Sequence, residues 1–379
     1  MAQRRLSMSN IHMGEPLRWN VYDDKGSLLL KKGYIVDHPH QVEALVERGL
    51  FVETSSSGLS RGTDDPSKEQ EAPSVLRLIN LADNRLERLL FGLNSEPDFP
   101  GTLLEVAKSV IFATELNPDI AIACVLLNQQ AGSYPVRHCV DTAVISILVA
   151  RSMAMAPEEI VMIAAAALTM NVGMLRQHAH LQGKQDALTA EETEIIQRHP
   201  QESVRLLEAV GIRDPDWLSY VLCHHENEDG SGYPSGKKGE DIPKNARLIA
   251  LADRYCACVS ERKYRKSILP NVALREIFLE RGKGIDPALA AHIIKEMGIY
   301  PPGTLVRLNN GEIGVVSQKG ETATTPIAHA LVGPRGIPLS IPVKRDTGNE
   351  TFAIKEVLDV DQASVRFSMQ QVWGKKARL

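Results

Sequence analysis

The sequence predicts a mainly α protein: a helical bundle flanked by a small N-terminal α/β module and a small C-terminal β module. Apolar residues recur at three- and four-residue intervals through the middle of the 379-residue chain. Short alternating stretches bounded by turn residues occupy both ends, and a polar tract separates the first of them from the helical region. With 43% hydrophobic and 24% charged residues, the composition is that of an ordinary globular chain with room for about two or three domains.

Residues 1–53 form the first expected module. Leu17 to Tyr22, a turn at Asp23-Asp24-Lys25-Gly26 and Ser27 to Leu30 read as a hairpin. After Pro39, Val42, Leu45 and Val46 share one helical face, and Gly49 is placed to end that helix. Residues 54–73, rich in Ser, Gly, Asp, Glu and Lys, bury too little apolar surface to order themselves and read as a flexible linker. From Ser74 to residue 299 the pattern is helical: Leu76, Ile79, Leu86, Leu89 and Leu90 start the first stripe, and Thr189 with Glu192 forms a capping box further on. Residues 300–379 return to short strands, Thr304 to Leu308 and Glu312 to Val316 around Asn309-Asn310-Gly311, then Ala328 to Val332 and Ile337 to Val343.

A formal net charge of −4 removes the electrostatic basis for binding a nucleic-acid polymer or an anionic membrane along an extended surface. Ile160 to Leu168, the longest apolar run, is far shorter than a membrane span, and Met1 to Asn20 lacks the apolar run of a signal peptide. Five cysteines without C-x-x-C pairing fit a reducing cytoplasm, and membrane insertion is not expected. Cys256-x-Cys258 reads either as a metal or redox pair or, in its apolar helical setting, as buried small residues.

The chemistry concentrates in Leu222-Cys223-His224-His225-Glu226-Asn227-Glu228-Asp229-Gly230-Ser231-Gly232-Tyr233-Pro234, followed by Gly239-Glu240-Asp241-Ile242-Pro243 and by Asp253. Adjacent histidines at a helix end project about 100° apart and can serve two metals, or a metal and a phosphate; neutral imidazole suits divalent iron, manganese or zinc. Asp253 lies in the apolar stretch Ile249 to Val259, where an ionised carboxylate is costly unless paired or ligating. Any one of these histidines alone reads as an ordinary core or surface residue.

Taken in order, these motifs resemble the signature of the HD-GYP family of cyclic di-GMP phosphodiesterases within the HD superfamily, over about residues 100 to 297. The resemblance implies an HD-type helical bundle, metal ligands at His138, His199, His224, His225 and Asp253, a divalent cofactor (iron or manganese), and ligand contacts from Gly232, Tyr233, Pro234, Arg262 and Arg265. Arg262 and Arg265, three apart, can each fork onto phosphate, although a solvated charge cluster has the same spacing.

The departures from the family pattern matter as much. Where the resemblance places the His-Asp pair, this chain has Met170-Asn171, a weak thioether and a neutral amide in place of an imidazole and a bridging carboxylate. Met174 stands for a lysine, Tyr134 for a glutamate four residues before His138, and Cys256 for an aspartate. No catalytic residue is thereby retained at Met170, Asn171 or Met174, and the two methionines read as core packing. His178 and His180 offer a replacement ligand or simply belong to a polar loop. The expectation is a bacterial, cytoplasmic signalling protein that holds at most one firm metal. It binds cyclic di-GMP, or a signalling partner through the Gly-Tyr-Pro loop, with impaired hydrolysis; the alternatives are an active metal-dependent phosphodiesterase and a non-binding scaffold.

Overall fold

A computed structural model describes residues 3–5, 21–22, 28–31, 33–34, 51–53, 73–127, 133–177, 188–260, 267–282 and 284–379. The expected helix after Pro39, linker residues 54–72, His178, His180, Arg262 and Arg265 lie outside the described residues. The chain divides into two compact units, Met1–Glu69 and Gln70–Leu379.

In the first unit, strands β1 (Gln3–Arg5), β2 (Val21–Tyr22), β3 (Leu28–Leu30) and β4 (Phe51–Glu53) form an antiparallel sheet in the order β1-β4-β2-β3. The expected hairpin is present as β2 and β3, with Val21 opposite Leu30 and Tyr22 opposite Leu28.

The second unit opens on helix α1 (Val75–Phe91), whose N-cap Ser74 accepts from the Arg77 amide. Helices α2 (Phe99–Leu116), α3 (Pro118–Leu127), α4 (Tyr134–Ser152) and α5 (Pro157–Thr169) follow. Then come α6 (Ala190–Ala209), α7 (Pro215–Cys223), α8 (Lys244–Val259), α9 (Pro270–Glu280) and α10 (Pro287–Met297). Seven of these ten have proline in the first or second position, or begin on it, where its missing N–H costs nothing. The capping box at Thr189 and Glu192 starts α6 as expected.

Helices α4 and α5 run through the centre of one continuous core in which Ala143, Val144, Ile147, Ile163, Leu168 and Tyr255 are fully buried. Pro157–Gln177 is long and apolar enough to cross a membrane, yet 72% of its most apolar window is buried in this core, which is the behaviour of a central helix.

Strands β5 (Leu305–Leu308), β6 (Ile313–Gln318), β7 (Ile327–Val332), β8 (Pro338–Asp346) and β9 (Ile354–Leu358) make an antiparallel sheet in the order β8-β7-β6-β5-β9. Alternation buries both faces: Leu305, Val315 and Leu358 on one side, Val306, Leu308 and Val316 on the other. The sheet joins the helices through Gly303 packed on Ala123 and through Lys319, whose amide reaches Asp119 and whose ammonium meets Glu296. Short helices α11 (Val360–Ala363) and α12 (Met369–Trp373) close the chain's last segment.

Candidate metal centre

His199 lies inside α6, His224 ends α7, and one ligating nitrogen from each of His199, His224 and His225 lies within 4.8 Å of the others. The local sequence aims the first two. Pro200 has no N–H, so the Ile196 carbonyl is left without its helical partner, and His199 Nδ1 takes it at 2.6 Å. Helix α7 stops at Cys223, and His224 Nδ1 donates to the freed Val221 carbonyl at 2.6 Å. With both Nδ1 atoms committed as donors, the two Nε2 lone pairs face each other 3.1 Å apart.

The sequence expectation that His224 and His225 diverge needs correction. Because the helix ends between Cys223 and His225, the two rings converge, with centroids 4.2 Å apart, and His225 lies 5.0 Å from His199. Burial pushes His199 well below its ordinary pKa, with the neighbouring His224 adding to the shift; burial likewise lowers His224 and brings His225 down to about 3. The cluster is therefore held as neutral imidazoles.

That electrostatic state gives a stability prediction for chelator-treated protein. His225 binds its proton near 6.5 when unfolded and near 3 when folded, so between those values the unfolded chain carries more protons. Stability is complete above about pH 6.5 and falls toward pH 3, by up to about 1.4 kcal/mol per pH unit for such a group. Thermal denaturation from pH 7.5 to 4.5 should show this loss, and His225→Gln should flatten it; equal slopes would contradict a neutral His225.

His138 and Asp253 stand together, with His138 Nε2 2.6 Å from Asp253 Oδ1 and the two side chains 5% and 14% exposed. Burial alone would raise the Asp253 carboxyl, but the hydrogen bond and charge of His138 outweigh it and hold the group below the usual carboxylate range. Three of the implied ligands thus converge, while Asp253 shares a cavity wall with His224 and His225 and is engaged by His138. Tyr134 stacks near His138 with ring centroids 5.8 Å apart.

Met170 is fully buried in the core and Met174 is buried beside it in the turn Val172–Met174. Asn171 is 2% exposed, and its Oδ1 has no hydrogen-bond partner among the described residues. Cys256 is fully buried, with burial raising its thiol well above the ordinary range, which supports the buried-small-residue reading of Cys256.

The Gly232-Tyr233-Pro234 loop folds back onto His225. The Tyr233 amide donates to the His225 carbonyl at 3.1 Å, and the Tyr233 ring stacks on the imidazole with a centroid separation of 4.7 Å. Buried Glu226 accepts from the amides of Ser235 and Lys237 at 2.7 and 3.0 Å, pinning the far side of the loop. Pro234 follows a cis peptide and is half-buried.

A cavity of about 360 Å³ opens beside these groups, walled by His224, His225, Gly232, Tyr233, Asp253, Arg247 and Arg254. The two arginines escaped the sequence reading, although Arg247, Ala250, Leu251 and Arg254 recur at i, i+3, i+4 and i+7 and therefore share a face of α8. Arg247 Nη1 binds Glu228 at 2.7 Å and Asp286 at 3.3 Å, while Arg254 pairs with Glu280.

The donor set fits one divalent ion. Two imidazole nitrogens bound about 2.0–2.1 Å from one ion lie about 3 Å apart, as Nε2 of His199 and His224 do, and a cation between them relieves the facing lone pairs.

Residues 120–289 match a family described as an HD domain. A cyclic di-GMP phosphodiesterase of Pseudomonas aeruginosa is 33% identical over 226 residues, covering 59% of this chain and 52% of that protein. The cyclic di-GMP phosphodiesterase PdeB of Borreliella burgdorferi is 28% identical over 186 residues, 49% of each chain. The chain thus spans about half the length of these curated relatives. In fold it resembles an HDG"Y"P protein of Bdellovibrio bacteriovorus, with a TM-score of 0.52 and 14% identity over 78% of this chain and 99% of that one. The matched region encloses the histidine cluster, Asp253 and the Gly-Tyr-Pro loop, and the chain carries an HD domain over residues 120–289 that is similar to those of cyclic di-GMP phosphodiesterases.

Proposed function

We propose that the protein takes part in cyclic di-GMP signalling by binding the dinucleotide in the cleft beside His225, and that it hydrolyses it slowly or not at all. The observation that carries this reading is the pairing of a formed cleft and stacked Tyr233 with a buried neutral amide at Asn171, where the family resemblance implies a bridging carboxylate. His199, His224 and His225 would hold one divalent ion, iron or manganese, and such an ion supplies a hydroxide nucleophile and screens phosphate charge. The chain's own residues do the rest: Tyr233 offers a stacking face, and Arg247 and Arg254 border the space where phosphates would lie. Five cysteines without a disulfide support a cytoplasmic setting.

Two other readings have support of their own. The neutral three-histidine cluster favours a surviving phosphodiesterase. The pairing of both cleft arginines with carboxylates favours a scaffold that engages a signalling protein and leaves the dinucleotide unbound. Metal analysis, cyclic di-GMP binding and hydrolysis measured on one preparation separate the three. Binding without turnover supports the proposal, turnover with added iron or manganese supports the enzyme, and neither supports the scaffold.

Arg262 and Arg265 are proposed to grip the phosphates. Each charge-assisted hydrogen bond contributes about 1.5–3 kcal/mol, so Arg262→Ala is expected to weaken binding about tenfold or more by isothermal titration. Unchanged affinity in the Arg262→Ala, Arg265→Ala double variant would shift the balance to the scaffold.

A further inference from the structure

We infer that Ser203 is a positioning residue for the histidine cluster, its hydroxyl tying the Met170–Gly173 turn to the helix that carries His199. This rests on the single-ion reading of that cluster. Ser203 Oγ accepts from the Gly173 amide at 2.9 Å and donates to the Met170 carbonyl at 2.8 Å, and the residue is fully buried. A hydroxyl has one proton and two lone pairs, so one serine satisfies both partners at once.

His199 lies one helical turn before Ser203, and the turn rides directly on its backbone. A Cβ at Gly173 would lie 2.5 Å from the His199 carbonyl oxygen and 2.6 Å from the Ser203 amide. Backbone contact that close transmits a displacement of the turn to His199. The neighbouring Asn171 lacks the charge that would bind the turn to a metal, so Ser203 supplies a link made of protein groups alone.

A purely structural role for Ser203 would lower stability without touching the metal. The test uses the 379-residue chain loaded with cobalt(II). Ser203→Ala is expected to lower cobalt affinity about ten- to hundredfold and to alter the visible ligand-field spectrum. Val316→Ala, a buried change in the C-terminal sheet, is expected to lower the melting temperature with affinity and spectrum unchanged. Ser203→Cys, which nearly preserves volume with a weaker hydrogen-bonding group, is read in the same way should Ser203→Ala fold poorly. Wild-type affinity and spectrum in the Ser203 variants would overturn the inference. If the wild-type protein takes up no cobalt, the single-ion reading fails, and the clamp is decided on histidine ring ¹⁵N resonances of the metal-free protein. A shifted His199 signal in Ser203→Ala but not in Val316→Ala sustains the positioning role, and an unshifted one ends it.

Discussion

Replacing Met170→His and Asn171→Asp together is expected to raise bound metal and then to raise cyclic di-GMP hydrolysis by about a thousandfold, equivalent to about 4 kcal/mol of transition-state stabilisation. The substitutions act where the proposed function places the defect. Asn171 is buried with a carbonyl oxygen that has no hydrogen-bond partner among the described residues, and an aspartate there brings an anion to the turn that packs on the His199 backbone. The Met170 side chain is fully buried, so an imidazole in its place is stranded unless it ligates, at a cost of about 1–3 kcal/mol. The double variant should therefore melt lower than wild type in chelator and recover when manganese is added, while the wild-type protein gains less. Met174→Lys and Cys256→Asp would add the phosphate-holding groups, with strongly non-additive gains, because such residues act as a unit. A wild-type rate already comparable to that of the repaired protein would defeat the dismantled-site account.

The sequence made some parts of this molecule readable for local reasons. A Thr-x-x-Glu capping box is decided by neighbouring residues, and the structure has it at Thr189 and Glu192. The β2–β3 hairpin and the strands around Asn309 to Gly311 follow from turn chemistry in the same way. Strand β9 and helices α11 and α12 were not foreseen. They are five residues or shorter, β9 pairs along the β5 edge of the sheet, and that tertiary setting is one the local pattern does not announce.

The site divides along the same line. Residue types and order identified His138, His199, His224, His225 and Asp253 as a group, yet not how they pair. That Asp253 meets His138, and that His225 turns back toward His199, depend on where α7 stops and how α4 crosses α8. Pro200 was visible beside His199 from the start, but its consequence, a carbonyl freed to fix the ring's tautomer, requires the helix to continue through it. Ser203, Arg247 and Arg254 carry no motif; they matter through residues 30 and 33, 19, and 26 positions away respectively.

Gly232→Ala is expected to weaken dinucleotide binding a hundredfold or more while leaving the helical core folded. A Cβ at this position would lie 2.4 Å from the Asn227 amide nitrogen and the His225 carbonyl oxygen, and 2.6 Å from the Glu226 Cα. All three are backbone atoms of the segment that carries the second and third histidines, so no side chain can swing aside. The loop must move away, breaking the bond from the Tyr233 amide to the His225 carbonyl and the stacking of Tyr233 on the imidazole. Glu226 would still hold Ser235 and Lys237, so the displacement stays near Tyr233 and reaches His225 before it reaches the core. Loss of a stacking platform alone costs about 1–3 kcal/mol per base, and the cleft wall formed by Gly232 and Tyr233 is lost with it. A decrease of a hundredfold or more in cyclic di-GMP affinity is therefore expected, about 2.7 kcal/mol. Titration calorimetry gives the affinity, and circular dichroism melts establish that α4, α5 and α8 remain assembled. Wild-type affinity in Gly232→Ala would mean that the ligand does not use this loop, whatever the cleft's shape.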